Sequence, residues 1–488
     1  MASPLPKRKF VWLCSLILLI AFGLRVYALG RADFWTDEAV SLQHSQQPDV
    51  PALVESLAHN EGMPPLYFLG LWMWQGLGSS EWVVRFLSVL FGLVSIALTA
   101  RLGAGMLGRE AGLFITGFIS LSSIHVALSQ WARPYALVLC VACGLMLIAL
   151  KLGRLSTPRA WFFFWIVGSI ALYTLYLLGV MLLGVGLYVV YTRRRLGLIR
   201  ALGPVALVGL GIWMAFLPWL PVLLHQSTWA SRALWWVHPP QLEVFLATLD
   251  EFFLGSVGRG WPPVVAVIVI IPSVIALLFL GIYQAWKTGR LAFVLLTTLF
   301  PLAIIWLVSY WRPLFHARHI VFALPGVMLL CVEGLFFLKP KLREAIVILL
   351  LGVGLVAQMT PLSDPGYRIP WSRIAEWMAL HAQAGDMLVF APPFQRPAFD
   401  LKYHGPPLDE YGIKNYENYI RQPDAVLDSQ IPLAAIQRWA QGRSAFWLLE
   451  DKRWPATWGK WEYQGAIKAQ FEGVRISLFE RYRPADGQ

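Results

Sequence analysis

Eleven long runs of mostly apolar residues, parted by short polar loops, constrain this chain of 488 residues more than any other feature. About 20 apolar residues cross a bilayer core as a helix, and in lipid only helices and closed barrels satisfy their own backbone. The runs lie near 10–29, 82–100, 110–128, 135–150, 161–175, 177–191, 201–224, 263–282, 291–309, 319–338 and 344–360. Charged residues make up 14% of the chain against 57% hydrophobic, where soluble domains carry about 25% charged. A soluble globular fold and a disordered chain are both excluded. The expected fold is a polytopic α-helical membrane protein of about eleven transmembrane helices. Its weakest boundary is at 161–191, where two short spans meet at Tyr173-Thr174-Leu175-Tyr176.

Charge gives sidedness. The net charge is +12, and residues 1–360 hold 25 Lys/Arg against 13 Asp/Glu while residues 361–488 hold 15 of each. Loops on the cytoplasmic side are enriched in Lys and Arg. Starting from Lys7-Arg8-Lys9 inside, the alternate loops place 17 basic residues inside and 8 outside, with 10 of the 13 acidic residues outside. The N-terminus is thus expected in the cytoplasm and the tail outside, in a cell (plasma or inner) membrane. Sidedness accounts for the basic excess, and nucleic acid is not an expected partner. The first apolar run, Phe10 to about Leu29, exceeds the 7–15 residues of a signal-peptide core and reads as a retained span. Cys14, Cys140, Cys143 and Cys331 all fall within spans, so neither a disulfide framework nor a zinc site is implied.

Two stretches outside the spans are too long for simple loops. In residues 30–81, Asp49-Val50-Pro51 starts a short helix that ends near His59-Asn60. Pro64-Pro65 then opens an apolar run to Leu77, too short to span, whose Trp72 and Trp74 suit a helix at the membrane surface. The second stretch, about 225–262, carries Trp229, Trp235, Trp236, His238 and Trp261, an aromatic surface at headgroup level. The neutral tail, 361–488, reads as a separate mixed α/β domain. It has a helix over Trp371 to Ala384 and strands at Met387–Phe390, Phe446–Leu449 and Ile476–Phe479.

Chemistry points to the start of the first outer loop, Phe34-Trp35-Thr36-Asp37-Glu38-Ala39. A carboxylate there can take a proton from an acceptor hydroxyl. Equally, Thr36 or Asp37 can cap a helix whose N-terminal dipole favours Glu38. Spacing alone leaves both readings open.

The run Leu24-Arg25-Val26-Tyr27 followed by Phe34 to Ser41 resembles the first-loop signature of bacterial membrane glycosyltransferases of family 39. These are relatives of protein O-mannosyltransferases and aminoarabinose transferases in the GT-C superfamily. The likeness continues in Pro64-Pro65-Leu66-Tyr67-Phe68, in Glu81 to Arg85 with Phe86 to Gly92, and in Ser129-Gln130-Trp131-Ala132-Arg133-Pro134-Tyr135. It extends to Tyr173-Thr174-Leu175-Tyr176, to Arg318-His319 leading a span with Leu324-Pro325, and to the tail at Trp371-Ser372-Arg373 and Ala384-Gly385-Asp386. It implies sugar transfer with inversion from a polyprenyl-phosphate donor to a protein, lipid or glycan acceptor on the outer face. The Asp37-Glu38 pair would be catalytic, with Asp37 the base, and Glu61 would position the acceptor or a divalent metal ion. Many relatives carry a His directly before Pro-Pro; here the residue is Met63, a departure that leaves both the metal and the acceptor class open.

A phosphate-bearing donor needs cations, and Arg suits phosphate because its planar fork binds bidentately and stays charged. Arg133, and Arg318 with His316 and His319, are the candidates; headgroup anchoring is the bland alternative for each. For Arg25 and Arg85 anchoring is favoured. Glu333 lies within a span but close to Lys339, and is left outside the site. The competing class is a transporter or flippase of lipid-linked sugars, which would need polar groups lining a path through the bilayer. The carboxylates instead cluster on one face.

Overall fold

The computed structural model describes residues 5–155, 157–229, 234, 237, 239–255, 271–359, 369–412, 440, 443, 445–451, 463–471 and 474–481. A helix underlies each of the eleven expected spans, as far as the described residues reach. They are α1 (Lys7–Val26), α5 (Glu81–Leu107), the pair α6 (Arg109–Leu121) and α7 (Ser123–Ser129), α8 (Tyr135–Arg154), α9 (Pro158–Thr174) and α10 (Leu178–Arg193). After these come α11 (Leu198–Phe216), which a 3₁₀ turn joins to α12 (Leu220–Ser227), then α14 (Ile271–Lys287), α15 (Leu291–Val308), α16 (Val321–Leu335) and α17 (Pro340–Met359). Among the described residues, five helices are long and apolar enough to cross a membrane, and six if α6 and α7 count as one bent span. Residues 263–270 of the eighth expected span, and Trp235, Trp236, His238 and Trp261, lie outside the described residues.

Local chemistry explains the boundaries. Thr157 caps α9 by accepting from the Ala160 N–H, and Pro158 sits at the first position, where a missing N–H costs nothing. Gly108, at φ +100°, turns the chain between α5 and α6. The α6–α7 axis breaks by 62° at Ser122, whose hydroxyl donates to the Phe252 carbonyl at 2.6 Å. Helices α14 and α16 cross at glycine: a Cβ on Gly281 would lie 2.0 Å from the Leu330 carbonyl oxygen, the close approach that small residues permit in membranes.

The first outer loop folds into α2 (Thr36–Ser45), α3 (Val50–Asn60) and α4 (Leu66–Trp74). As expected, Asp49 caps α3, accepting from Ala52 N–H at 2.8 Å. Trp72 and Trp74 are half-buried in α4. Their indoles turn inward and donate to the Gln47 and Val83 carbonyls, because protein backbone is within reach. The second long loop contributes α13 (Leu242–Phe253).

The tail holds α18 (Trp371–His381), α19 (Arg396–Asp400) and a sheet of β1 (Met387–Ala391), β2 (Asp409–Tyr411), β3 (Ala445–Asp451), β4 (Tyr463–Gln470) and β5 (Val474–Arg481), in the order β2-β1-β3-β5-β4. Strand β1 runs parallel to β2 and β3, and β5 is antiparallel to β3 and β4. The expected helix and three strands are all present; β2 and β4 are additional. The tail is joined to the first outer loop by one core, in which Phe34, Leu57 and Phe68 pack with Trp371, Met378 and Phe399. Polar contacts reinforce the seam. Asp33 accepts from the Ser372 backbone N–H at 2.9 Å and its hydroxyl at 2.6 Å, and Lys402 pairs with Glu81 at 2.5 Å.

Candidate active site

The first loop, the 129–134 turn between α7 and α8, and the segment before α16 converge on Asp37. The expected helix start is present without the expected cap: α2 begins after Trp35 with no side-chain cap, Asp37 and Glu38 lie in its first turn where the helix dipole favours them, and the two carboxylates point to different arginines. Consecutive helical residues project about 100° apart, so one faces the interior and the other the opening.

Glu38 is the interior one. It is fully buried, and Arg85 grips it through two parallel bonds, Nε–Oε1 at 2.8 Å and Nη2–Oε2 at 2.6 Å. The Ala132 N–H adds a third at 2.9 Å. Arg85 also donates to the carbonyls of Leu29 and Ala32 at 2.8 Å and of Asp33 at 3.1 Å. It therefore stitches the whole entry of the first loop, and is neither a headgroup anchor nor a snorkelling cation. Glu38, expected beside Asp37 in catalysis, lies fully buried within this hydrogen-bonded group.

Asp37 keeps 30% of its side chain exposed, and Arg318 reaches it from 281 residues away, Nη1 to Oδ2 at 3.2 Å. His316 accepts from the Arg318 backbone N–H at 3.4 Å, and its ring lies 5.7 Å from that of His319. Burial first, and then the Arg318 charge, hold His316 down at about 3.

Glu61 and Arg133 form the second pair, Oε2 to Nη1 at 2.7 Å, both buried. Burial pushes the Glu61 pKa up, but the adjacent guanidinium outweighs it, leaving Glu61 below the usual carboxylate range. Arg133 is likewise held charged by Glu61 and Asp37 against the cost of burial. It further donates to Ser41 Oγ at 3.1 Å, to the Asp37 carbonyl at 3.4 Å and to Met63 Sδ at 3.5 Å. Expected as a phosphate ligand, Arg133 is instead enclosed by its own loop and braces the backbone of Asp37. The Glu61 backbone is fixed by Gln226, which donates to its carbonyl at 2.8 Å and accepts from Tyr176 at 2.7 Å. That chain absorbs the Tyr173–Tyr176 motif. His59, at the end of α3, stacks edge-on with His225 at 5.0 Å.

Two residues escaped the sequence reading. His44, buried in α2, bonds Ser56 through Nδ1 at 2.9 Å, and burial holds it down at about 4. Glu251 near the end of α13 is pushed up to about 7 by burial and by Asp250, against the pull of Arg318. For Glu251 the available signal is a charged residue in an apolar helix near a loop end, which does not tell partner from solvent; for His44, in a polar helix, the sequence carries no such signal. Glu333 pairs with Arg290 at 2.8 Å, far along the chain from this group. Among the described residues no three His, Cys, Asp or Glu side chains converge as metal ligands. Glu38 and Glu61 are committed to arginines, so the donor set does not fit a hard cation.

No family model and no curated protein matches the sequence. Solved structures do. ArnT from Cupriavidus metallidurans in the apo state is similar over 95% of this chain and 97% of that one, at 14% identity and a TM-score of 0.62. The same protein bound to undecaprenyl phosphate is similar over 97% and 98%, at 13% identity and 0.63. The chain shares the fold of these structures. The archaeal oligosaccharyltransferase AglB from Archaeoglobus fulgidus, in complex with an inhibitory peptide and a dolichol-phosphate, is similar over 91% of this chain and 69% of that one, at 10% identity and 0.54. Within this fold, Asp37 is part-exposed against Arg318, beside the buried Glu38–Arg85 and Glu61–Arg133 pairs.

Proposed function

We propose that the protein is an inverting glycosyltransferase that moves a sugar from a polyprenyl-phosphate donor to an acceptor hydroxyl on the outer face of a cell membrane, with the N-terminus inside and the tail outside. The observation that carries this reading is Asp37. Of the three carboxylates that pair with Arg85, Arg133 and Arg318, it alone is part-exposed, and a guanidinium rests against it.

The acceptor O–H gives its proton to Asp37 Oδ as the oxygen attacks the anomeric carbon from the face opposite the phosphate. The C–O bond to phosphate breaks, and polyprenyl phosphate departs with the bonding electrons. An anionic phosphate leaves without a strong acid, so the demand falls on the base. Arg318 serves both partners: the donor phosphate draws its guanidinium over in a charge-assisted contact and releases Asp37 to act as base. Glu61 and Arg133 hold the Asp37 backbone in place during that exchange, a positioning role. Support for the donor class comes from the two neighbours solved with polyprenyl or dolichol phosphates.

The test is sugar transfer by purified protein in lipid, with labelled polyprenyl-phosphate sugars and membrane extract as acceptor. Asp37→Asn is expected to lose about 10²–10⁴-fold in transfer while retaining donor binding. An Asp37→Asn protein with unchanged transfer overturns the role of Asp37. Donor movement across the bilayer without transfer, alike in both proteins, overturns the enzyme reading in favour of a lipid-sugar transporter.

A further inference from the structure

At the end of the bundle remote from Asp37, α5, α8 and α9 leave a groove of about 710 Å³ between them, within the roughly 300–1,000 Å³ typical of small-ligand sites. Arg85 and Arg101 are both on α5, and Tyr135 and Lys151 both on α8. At 1.5 Å per residue each pair is separated by about 24 Å, so the groove lies most of a bilayer core away from the candidate active site. Leu98, Ile148 and Phe163 line its walls, while Arg101, Lys151 and Arg154 stand at its mouth; no lining residue is acidic.

Two features separate this groove from a merely basic loop edge. The first is how the cations are held. Arg154 Nη2 donates to the Gly105 carbonyl at 3.2 Å, tying its guanidinium across from α8 to α5. The side chains of Arg101 and Lys151 make no hydrogen bond or ion pair with any described residue, so three positive charges share one opening and no described carboxylate neutralises them. The second is the shape. Gly105 and Gly144 both line the groove; a Cβ at Gly105 would meet nothing within 4 Å, and one at Gly144 only Val167 Cγ1 at 3.5 Å. The wall is open where side chains would otherwise fill it. Leu155 and Phe163, both well exposed, extend the apolar surface outward toward the lipid.

We propose that this groove is a binding site for one anionic phospholipid of the adjacent leaflet, its phosphodiester held by Arg101, Lys151 and Arg154 and an acyl chain lying over Gly105 and Gly144. Charge complementarity selects the headgroup: a zwitterionic lipid brings its own cation to a mouth that already has three. The apolar walls select a chain-bearing ligand over a free phosphate. The site is independent of the sugar-transfer reading.

The full-length protein is reconstituted in nanodiscs of phosphatidylcholine and phosphatidylglycerol, released into mild detergent, and its retained lipids counted by native mass spectrometry. Wild type is expected to keep one phosphatidylglycerol. The variant Arg101→Gln/Lys151→Gln/Arg154→Gln is expected to weaken retention roughly a hundredfold, about fivefold per cation. Gly105→Leu fills the groove with the cations intact and improves helix propensity, so it folds and separates loss of the site from loss of the fold. It too should shed the lipid. Retention unchanged in both variants, or phosphatidylcholine kept equally well by wild type, overturns the proposal. Displacement of phosphatidylglycerol by a stoichiometric amount of undecaprenyl phosphate overturns it as well, since the groove would then belong to a polyprenyl phosphate.

Discussion

Replacing Arg85 by Met isolates what holds the first loop in place. The substitution keeps most of the apolar stem and removes five hydrogen bonds, two to Glu38 and three to the carbonyls of Leu29, Ala32 and Asp33. It leaves a carboxylate of 0% exposure with a single donor, the Ala132 N–H. Breaking a buried pair from one side costs about 3–5 kcal/mol, because the remaining charge is uncompensated. Arg85→Met and Glu38→Leu should each cost that much, and the double variant should cost at least 2 kcal/mol less than their sum. Asp37 shares the first helical turn with Glu38, and a displacement of about 1 Å at a reacting group costs about 10²-fold in rate. Denaturant unfolding in detergent, run beside transfer assays on the same samples, reads both quantities. Glu38→Gln decides between scaffold and catalyst: a scaffold loses transfer in step with stability. An Arg85→Met protein within 1 kcal/mol of wild type, or a Glu38→Gln protein that is fully stable and inert, refutes the reasoning.

Acid should loosen the same loop through His44. Its pKa is held at about 4 by burial against an ordinary 6.5; between these values the unfolded chain binds a proton that the folded chain does not, so stability drops as pH falls from 6.5 to 4, by about 3 kcal/mol. His316, held at about 3, adds a slope of the same sign, and His44→Gln should flatten only its own share in unfolding curves taken at pH 7, 5.5 and 4. Arg25, fully buried, donates to the Ala21 and Ser120 carbonyls, to Ser129 Oγ and to His125 Nδ1 across the α6–α7 bend. An ammonium cannot reach all four, so Arg25→Lys should lower thermal stability by several degrees and reduce transfer by loosening the 129–134 turn.

The parts of this fold governed by local chemistry were legible in the sequence. Apolar length gave the helices, Asp49 with Pro51 gave α3, and uninterrupted Met-Leu-Val-Phe gave a buried strand. Strand β2 has only three residues, and β4 lies at the sheet edge with Ile467 exposed, so neither shows a hydrophobic signature. The site was legible as a list of charged residues and not as a set of pairs. Glu38 and Arg85 are 47 positions apart, Glu61 and Arg133 72, Asp37 and Arg318 281, distances over which no local rule assigns partners. One distinction was nonetheless available. If 36–45 is a helix, neighbours 37 and 38 cannot face the same way, so a catalytic dyad was excluded by the very helix that the capping alternative assumed.

The outer arginines invert the meaning first given to them. Headgroup anchoring was the bland account for all of them, yet Arg25, Arg85 and Arg133 are buried and spend their donors on backbone carbonyls, hydroxyls and carboxylates of their own loops. The consequence is selective. On the proposed reading, a lipid phosphate arriving at Asp37 would meet Arg318 first, because Arg133 is buried against Glu61. Recruiting Arg133 would strip Glu61 of its partner in a buried place, at a cost of about 3–5 kcal/mol, whereas recruiting Arg318 leaves Asp37 part-exposed and able to be solvated. On the proposed mechanism the cheaper exchange is also the one that frees a base beside the incoming hydroxyl, which would make donor binding and activation of Asp37 a single event at Arg318.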